Sequence, residues 1–180
     1  MSEPMMTFPL NTSDILKSAA LRYPEQEIVS MLADLSVHRY TYADAYKRAC
    51  RVANFLASAK LSPGDRIATL AVNHYRHFEL YYGITGQGLV VHTLNARLFV
   101  EQLQYIINHA EDRWIFVDPE LLPILEALAD KIPSVTRLIV LCAAEQMPQS
   151  SPLSLECYET LIAAQSDEAV WPSLPANTPC

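Results

Sequence analysis

The chain has 180 residues, of which 51% are apolar and 18% are charged, and its mean hydropathy is +0.09. A chain this apolar can bury a core, so wholesale disorder is excluded and one self-standing domain is expected. Thirteen Lys and Arg residues stand against twenty Asp and Glu, and the net charge of −7 disfavours general electrostatic binding to nucleic acid or anionic lipid.

The first part of the chain predicts a helix, a hairpin and a second helix. Thr12 or Ser13 can cap a helix that runs to Arg22. Residues 27–32 and 37–40 have the composition of two short strands around a turn. Thr41 is a good N-cap for the next helix, with Asp44 at the capping-box position.

This second helix, expected to extend to Ala59, is amphipathic. Apolar residues recur at spacings of three and four, which predicts one buried face; they are Tyr42, Ala45, Tyr46, Ala49, Val52, Ala53 and Leu56. Three cationic residues lie on the other side, and we expect Lys47, Arg48 and Arg51 to be exposed.

Strands and helices then alternate along the chain. Strands are predicted at residues 66–72, 89–94, 113–118 and 136–141, and helices at 74–87, with Asn73 as the cap, at 100–111 and at 119–131. This order indicates an α/β fold of layered β-α-β units, in which a mainly parallel sheet is flanked by helices.

The composition changes after Arg137. No Lys or Arg occurs from Leu138 to Cys180, and five prolines fall between Pro148 and Pro179. We therefore assign residues 1–141 to the α/β layer and residues 142–180 to a Pro-rich, acidic connecting segment. One short helix is expected in that segment, over residues 157–165.

The cysteines and the amino terminus point to a cytoplasmic protein. Cys50, Cys142, Cys157 and Cys180 are widely spaced and form no C-x-x-C pair, so neither a disulfide framework nor a zinc site is indicated. Residues 1–10 lack the basic start and apolar run of a signal peptide. No stretch reaches the ~18 apolar residues that a membrane span needs.

Three of the four glycines, Gly83, Gly86 and Gly88, lie together in the order G-x-x-G-x-G. This order is the reverse of the dinucleotide-binding fingerprint. The segment also follows a helix, whereas phosphate loops follow a strand and open a helix. The pattern favours a helix end that packs closely on its neighbours, with a glycine in the left-handed cap.

A metal site and a catalytic dyad can each be considered. His74 and His77 share a helical face, but Glu79 lies about 200° of helix rotation from His77, so a structural role for the histidines is favoured. A polar helix end, formed by His109, Glu111 and Asp112, is a weak candidate for a catalytic dyad. No serine lies in a G-x-S-x-G elbow, and no cysteine has an identifiable neighbouring base.

An aromatic helix face admits two interpretations. It consists of Tyr75, Phe78, Tyr81 and Tyr82. These side chains can line an acyl pocket, but packing between layers is the favoured interpretation.

Five segments in order resemble the adenylate-forming (AMP-binding) superfamily, which includes acyl-CoA synthetases. Residues 39–44 resemble its Thr-Tyr-x-acid motif, and residues 61–68 resemble its G-D-R-V-A strand start. Asn73 follows that strand, as the family asparagine does. Residues 88–103 are similar to its L-N-P-x-L segment, with Leu89, Ala96 and Gln102 as departures. Residues 106–118 resemble its helix–strand pair ending in V-D.

The sequences of residues 74–82, 93–99 and 108–112 are similar to those of one branch of the superfamily, the bacterial medium-chain fatty-acyl-CoA ligases. This branch includes the methylmercaptopropionyl-CoA ligases. The resemblance implies the N-terminal portion of an enzyme that converts a short- or medium-chain acid, ATP and CoA into acyl-CoA, AMP and diphosphate through an acyl-adenylate. Mg²⁺ and possible homodimers belong to the full-length family.

The family's phosphate loop follows a segment like residues 177–180, so the resemblance places no catalytic, cofactor-binding or metal residue in this chain. We expect the chain alone to be inactive. The alternatives are a non-catalytic module that binds a hydrophobic ligand or a partner subunit, and an unrelated nucleotide-binding domain, against which the glycine order argues.

Overall fold

The computed structural model describes residues 11–175 and 177–179 of the chain. It contains six helices and seven strands in those residues. In chain order they are α1 (Thr12–Arg22), β1 (Glu27–Met31), β2 (Val37–Thr41), α2 (Tyr42–Ala57), β3 (Arg66–Leu70), α3 (Tyr75–Gly86), β4 (Val90–Thr93), α4 (Val100–Ala110), β5 (Trp114–Val117), α5 (Leu122–Glu126), β6 (Arg137–Val140), β7 (Leu155–Cys157) and α6 (Tyr158–Ala163).

Strands β1 and β2 form the predicted antiparallel hairpin, with Met31 opposite Val37 at its turn. Leu35 takes the left-handed backbone conformation (φ 66°) that this short turn requires. The chain passes from β2 directly into α2, where Thr41 and Asp44 form the predicted capping box. The hairpin therefore has a fixed position relative to α2.

The other five strands form a parallel sheet in the order β4-β3-β5-β6-β7. Side chains alternate between its two faces. On β5, for example, Ile115 and Val117 pack with α4 and α5, whereas Trp114 and Phe116 pack with α2, α3 and α6. The predicted α/β class, a parallel sheet flanked by helices, is confirmed.

The apolar face of α2 is also as predicted, with Ala49, Val52, Ala53 and Leu56 all buried. The expectation for its cationic side holds at Lys47 but was wrong at Arg48, whose side chain is only 23% exposed, and at Arg51, which is half-buried. Arg48 turns inward because a buried carboxylate on α3 needs a partner.

Two predicted caps differ in the structure. Asn11 precedes α1, without a side-chain capping bond, whereas Thr12 or Ser13 was expected. His74, and not Asn73, caps α3, because its ring accepts hydrogen bonds from the backbone N–H groups of Arg76 and His77.

The region after β5 is less regular than predicted. A 3-10 turn (Pro119–Leu121) precedes the short helix α5, and hydrogen bonds from Leu128 to Leu125 and from Lys131 to Leu128 continue it as tight turns. Leu125, Leu128 and Ile132 keep the helical apolar spacing and are all buried. The apolar spacing thus predicts which side of this segment is buried, although the regular helix ends at Glu126.

Strand β7 was not predicted. It pairs in parallel with β6 and completes the sheet at the edge opposite β4. Its three residues are too few to show strand alternation, and they lie between prolines and polar residues that favour loops.

Candidate functional site

A crevice opens at the carboxyl edge of the parallel sheet, between the ends of β3 and β5. The chain leaves β3 towards α3 on one face and leaves β5 towards α5 on the other. Ligands of parallel sheets bind at such switch points. The crevice has a volume of about 240 Å³ and is lined by Leu32, Ala33, Asp34, Val72, His74, Arg76, Asp118, Pro119, Glu120, Leu141, Cys142 and Gln146.

A buried histidine–carboxylate pair joins the two sides of this crevice. His74 Nε2 lies 2.7 Å from Asp118 Oδ1, and the Val72 N–H donates to Asp118 Oδ2 at 2.8 Å. Because His74 Nδ1 accepts backbone N–H groups of α3, the ring proton lies on Nε2 and is donated to Asp118. The pair fixes the loops after β3 and β5 to each other.

His77 is also engaged inside the protein. Its Nδ1 lies 3.1 Å from the Val72 carbonyl oxygen, and its Nε2 lies 3.0 Å from Thr69 Oγ1. Burial lowers the pKa of the His77 ring, which keeps it neutral. Within residues 11–175 and 177–179 no group of three metal-ligating side chains converges. Both histidine rings are thus held by hydrogen bonds within the fold.

Behind the crevice, four charged side chains form a network between α2, α3 and α6. Arg48 Nε donates to Glu79 Oε1 at 2.7 Å, and Arg48 Nη2 donates to both Glu159 oxygens at 2.9 and 3.0 Å. Arg76 Nε donates to Glu159 Oε1 at 2.7 Å, and its Nη1 donates to the Leu141 carbonyl at 3.2 Å. Two guanidinium groups thereby balance two carboxylates.

Glu79 has no exposed side-chain surface, and burial raises its pKa although Arg48 and the Tyr158 hydroxyl bond to it. Burial also acts on Glu159, but Arg48 and Arg76 outweigh it and hold the pKa of Glu159 below its ordinary value. Every member of the network has a bonded partner. This arrangement positions three helices and leaves none of these four groups free as a base or nucleophile.

The glycine segment is a helix end, as predicted. Gly88 is left-handed (φ 74°), and the N–H groups of Gly88 and Leu89 bond to the carbonyls of Thr85 and Ile84. These two bonds form a Schellman motif at the end of α3. The carbonyl of Gly88 accepts the Gly64 N–H at 2.8 Å, so the segment faces another loop.

The three residues considered for a dyad do not meet. Asp112 is buried and accepts a hydrogen bond from His92 Nδ1 at 2.9 Å, whereas His109 stacks on Tyr105 with ring centroids 5.5 Å apart. Glu111 is exposed and left-handed (φ 54°) at the end of α4. No sequence pattern pointed to His92, because its partner Asp112 follows it by 20 residues, after the end of α4.

The aromatic residues of α3 divide between packing and a groove. Tyr75 is buried, with the Arg76 guanidinium 4.6 Å from its ring centre. The other three contribute to an apolar groove of about 410 Å³ between α1 and α3, lined by Thr12, Ile15, Phe78, Tyr81, Tyr82, Thr85 and Val91.

The chain matches one protein family over nearly its whole length. The profile described as AMP-binding enzyme matches residues 16–176. The chain belongs to the AMP-binding enzyme family. The expected family and fold are both confirmed by this match and by the relatives that follow.

Three curated relatives share more than a third of their aligned residues with this chain. The long-chain-fatty-acid–CoA ligase of Thermus thermophilus is 39% identical, covering 91% of this chain and 29% of its own length. The 3-methylmercaptopropionyl-CoA ligase of Ruegeria lacuscaerulensis is 39% identical, over 97% of this chain and 32% of its own length. The medium-chain-fatty-acid–CoA ligase of Ectopseudomonas oleovorans is 36% identical, over 96% of this chain and 32% of its own length. The chain thus spans about a third of each relative.

Solved structures of AMP-binding enzymes have the same fold. The anthranilate CoA ligase AuaEII, in complex with anthranoyl-AMP, superposes with a TM-score of 0.80 at 19% identity, over 99% of this chain and 32% of that one. The N-terminal domain of FACL13 from Mycobacterium tuberculosis superposes with a TM-score of 0.77 at 20% identity, over 94% of this chain and 40% of that one. None of the described helices of the present chain is both long and apolar enough to cross a membrane.

Proposed function

We propose that this chain is the scaffold layer of an ATP-dependent acyl-CoA ligase that activates a fatty acid or a related short- or medium-chain acid. The family match over residues 16–176 carries the proposal. The overall reaction joins the acid to CoA through an acyl-adenylate, with release of diphosphate and AMP, and ATP, Mg²⁺ and CoA are its cofactors.

We expect that the described residues do not hold ATP and Mg²⁺ by themselves. Adenylation needs donors that face the phosphates, together with a metal site for the developing charge. The clustered glycines end a helix here, whereas a phosphate-binding loop follows a strand and opens a helix. We therefore infer that the chain alone is inactive and that its sheet supports parts contributed by the rest of such an enzyme.

A chimera tests this proposal. The chain would replace the matched third of the Ruegeria lacuscaerulensis ligase, and acid-dependent exchange of pyrophosphate into ATP would be measured with butyrate, hexanoate, octanoate and methylmercaptopropionate. We expect exchange by the chimera and none above the enzyme-free control by the isolated chain. A chimera that folds cooperatively but shows no exchange would overturn the scaffold role, and exchange by the isolated chain would overturn its inactivity.

The apolar groove between α1 and α3 favours a second candidate function, a module that holds a hydrophobic ligand. A fluorescent fatty-acid analogue then binds saturably, and Tyr82→Glu weakens binding because it places a charge among apolar side chains. The matched substitution Tyr105→Glu, on the exposed side of α4, leaves binding unchanged. Binding that is weak, unsaturable and equal in both variants favours the scaffold role alone.

The remaining expectations belong to the same proposal. The net charge of −7 and the absence of a C-x-x-C pair support a cytoplasmic protein that does not bind nucleic acid. A homodimer of the complete enzyme would be measured by sedimentation of the chimera.

A further inference from the structure

Two cysteines lie next to each other at the carboxyl ends of β6 and β7. In the register of these strands Val140 lies opposite Cys157. The Cys142 N–H donates to the Val140 carbonyl at 2.9 Å, a tight turn that folds the chain back over the end of β6. Cys142 therefore lies beside Cys157, and the Cys157 thiol is 3.3 Å from the Cys142 carbonyl oxygen, to which it donates.

The two cysteines differ in their access to solvent. Cys142 is 1% exposed and forms part of the crevice wall, whereas Cys157 is only half-buried. Burial, together with the neighbouring Cys157 thiol, raises the pKa of the Cys142 thiol to about 12. Cys50 is buried on α2, where it bonds to Tyr46.

We propose that Cys142 and Cys157 form a reversible intramolecular disulfide when the protein meets a small-molecule disulfide such as oxidised glutathione. The half-buried Cys157 reacts first, because attack requires access to the oxidant. Its thiolate attacks one glutathione sulfur, the glutathione S–S bond breaks, and a mixed disulfide and one glutathione thiolate result.

The neighbouring Cys142 completes the reaction. Its thiolate attacks Cys157 Sγ, a new S–S bond forms within the chain, and the second glutathione leaves as a thiolate. The two protons lost by the protein thiols end on two glutathione molecules, so the protein is oxidised by two electrons and the oxidant is reduced by two.

The pH dependence of the second step follows from the environment of Cys142. Burial is the main cause of its raised pKa and persists in the mixed disulfide, so the Cys142 thiol stays largely protonated at neutral pH. As long as the pH is below the pKa of Cys142, its thiolate fraction rises roughly tenfold for each unit by which the pH increases. The mixed disulfide at Cys157 should accordingly accumulate at pH 7 and convert to the internal disulfide much faster at pH 9.

The full chain with Cys180→Ser tests the proposal, since Cys180 lies outside the described residues. Reduced protein is incubated with oxidised glutathione, quenched with acid, and analysed by intact mass and by peptide mapping without reductant. We expect a product about 2 Da lighter than reduced protein, with Cys142 linked to Cys157, and full reversal by dithiothreitol.

Single substitutions separate the roles of the two thiols. Cys142→Ser should stop at one bound glutathione on Cys157, and Cys157→Ser should react little. Cys50→Ser, the matched control, should still form the internal disulfide. A wild-type pair that retains glutathione at pH 9 without closing, or a linkage to Cys50, would overturn the proposal.

Discussion

At the scale of single residues, the most consequential side chain is Glu79, a carboxylate without exposed surface between α2 and α3. Its two partners, Arg48 and Tyr158, come from helices that are distant in sequence. An unpaired buried charge costs far more than a missing surface contact. The stability of this layer therefore depends on a few charged residues as well as on its apolar core.

Arg48→Ala should lower the free energy of unfolding by about 3–5 kcal/mol, because it leaves Glu79 buried without its counter-charge. Lys47→Ala, one residue away on the exposed side of α2, should change it by no more than about 0.5 kcal/mol. Urea unfolding of both variants gives the comparison. Adding Glu79→Gln to Arg48→Ala should recover part of the loss, and equal midpoints for the two single variants would contradict this account.

Glu159 makes the stability of the protein depend on pH. Arg48 and Arg76 hold its folded-state pKa below the unfolded value of about 4.3. The resulting stabilisation is fully present above the unfolded pKa and is lost as pH falls through the folded pKa. Glu159→Gln should be less stable than wild type at pH 7, and the difference should shrink below about pH 4. Glu145→Gln, at an exposed position, is the control and should show neither effect.

At the scale of elements, α2 and α3 approach each other closely at Gly83. A Cβ at this position would lie 2.7 Å from Val52 Cβ, closer than two carbon atoms can pack. The helix crossing thus depends on the missing side chain of one glycine, and it sets the position from which Glu79 reaches Arg48.

Gly83→Ala should destabilise the protein by about 1–3 kcal/mol through overpacking. Val52→Gly in the same chain removes the Cβ as well as both Cγ atoms and should relieve the overlap, so that the double variant is more stable than the sum of the two single effects predicts. Thermal and urea unfolding of the four proteins give the interaction energy. Strictly additive effects would show that the helices separate freely at this contact.

The elements also show what sequence patterns can and cannot report. The amphipathic spacing of α2 predicts most of its buried face, although Cys50 and Phe55, outside the predicted face, are buried as well. It fails at Arg48, since the residue that draws it inward lies on another helix. The same limit applies to the His92–Asp112 pair and to β7, which depends on pairing with β6. The crevice is an extreme case, because its lining comes from four separate loops that only the topology assembles.

At the scale of the whole molecule, several large apolar side chains remain exposed. Val29, Met31 and Val37 lie on the outer face of the hairpin and are 51%, 65% and 56% exposed. Strand β4 also forms an edge of the sheet as described. Apolar patches and open strand edges promote association, and a net charge of −7 opposes it only partly, because salt at ~0.15 M screens charges beyond about 8 Å.

The isolated chain should therefore self-associate as its concentration rises and should bind hydrophobic dyes. Met31→Lys with Val37→Lys should reduce both effects without lowering the melting temperature. Gln149→Lys with Thr160→Lys introduces the same charge at exposed polar positions and serves as the control. Sedimentation velocity and dye titration measure the outcome, and a wild-type monomer that ignores the dye would contradict the prediction.

The charge network also has a consequence for synthesis on the ribosome. Arg48 and Glu159 are 111 residues apart in sequence. At about 5–20 residues per second, Arg48 is synthesised about 6–22 s before Glu159. During that interval Arg48 has Glu79 and the Tyr75 ring as partners, and the faces of α2 and α3 that later pack against α6 remain open. We therefore expect the nascent chain to bind ribosome-associated chaperones until α6 emerges and closes the helical layer.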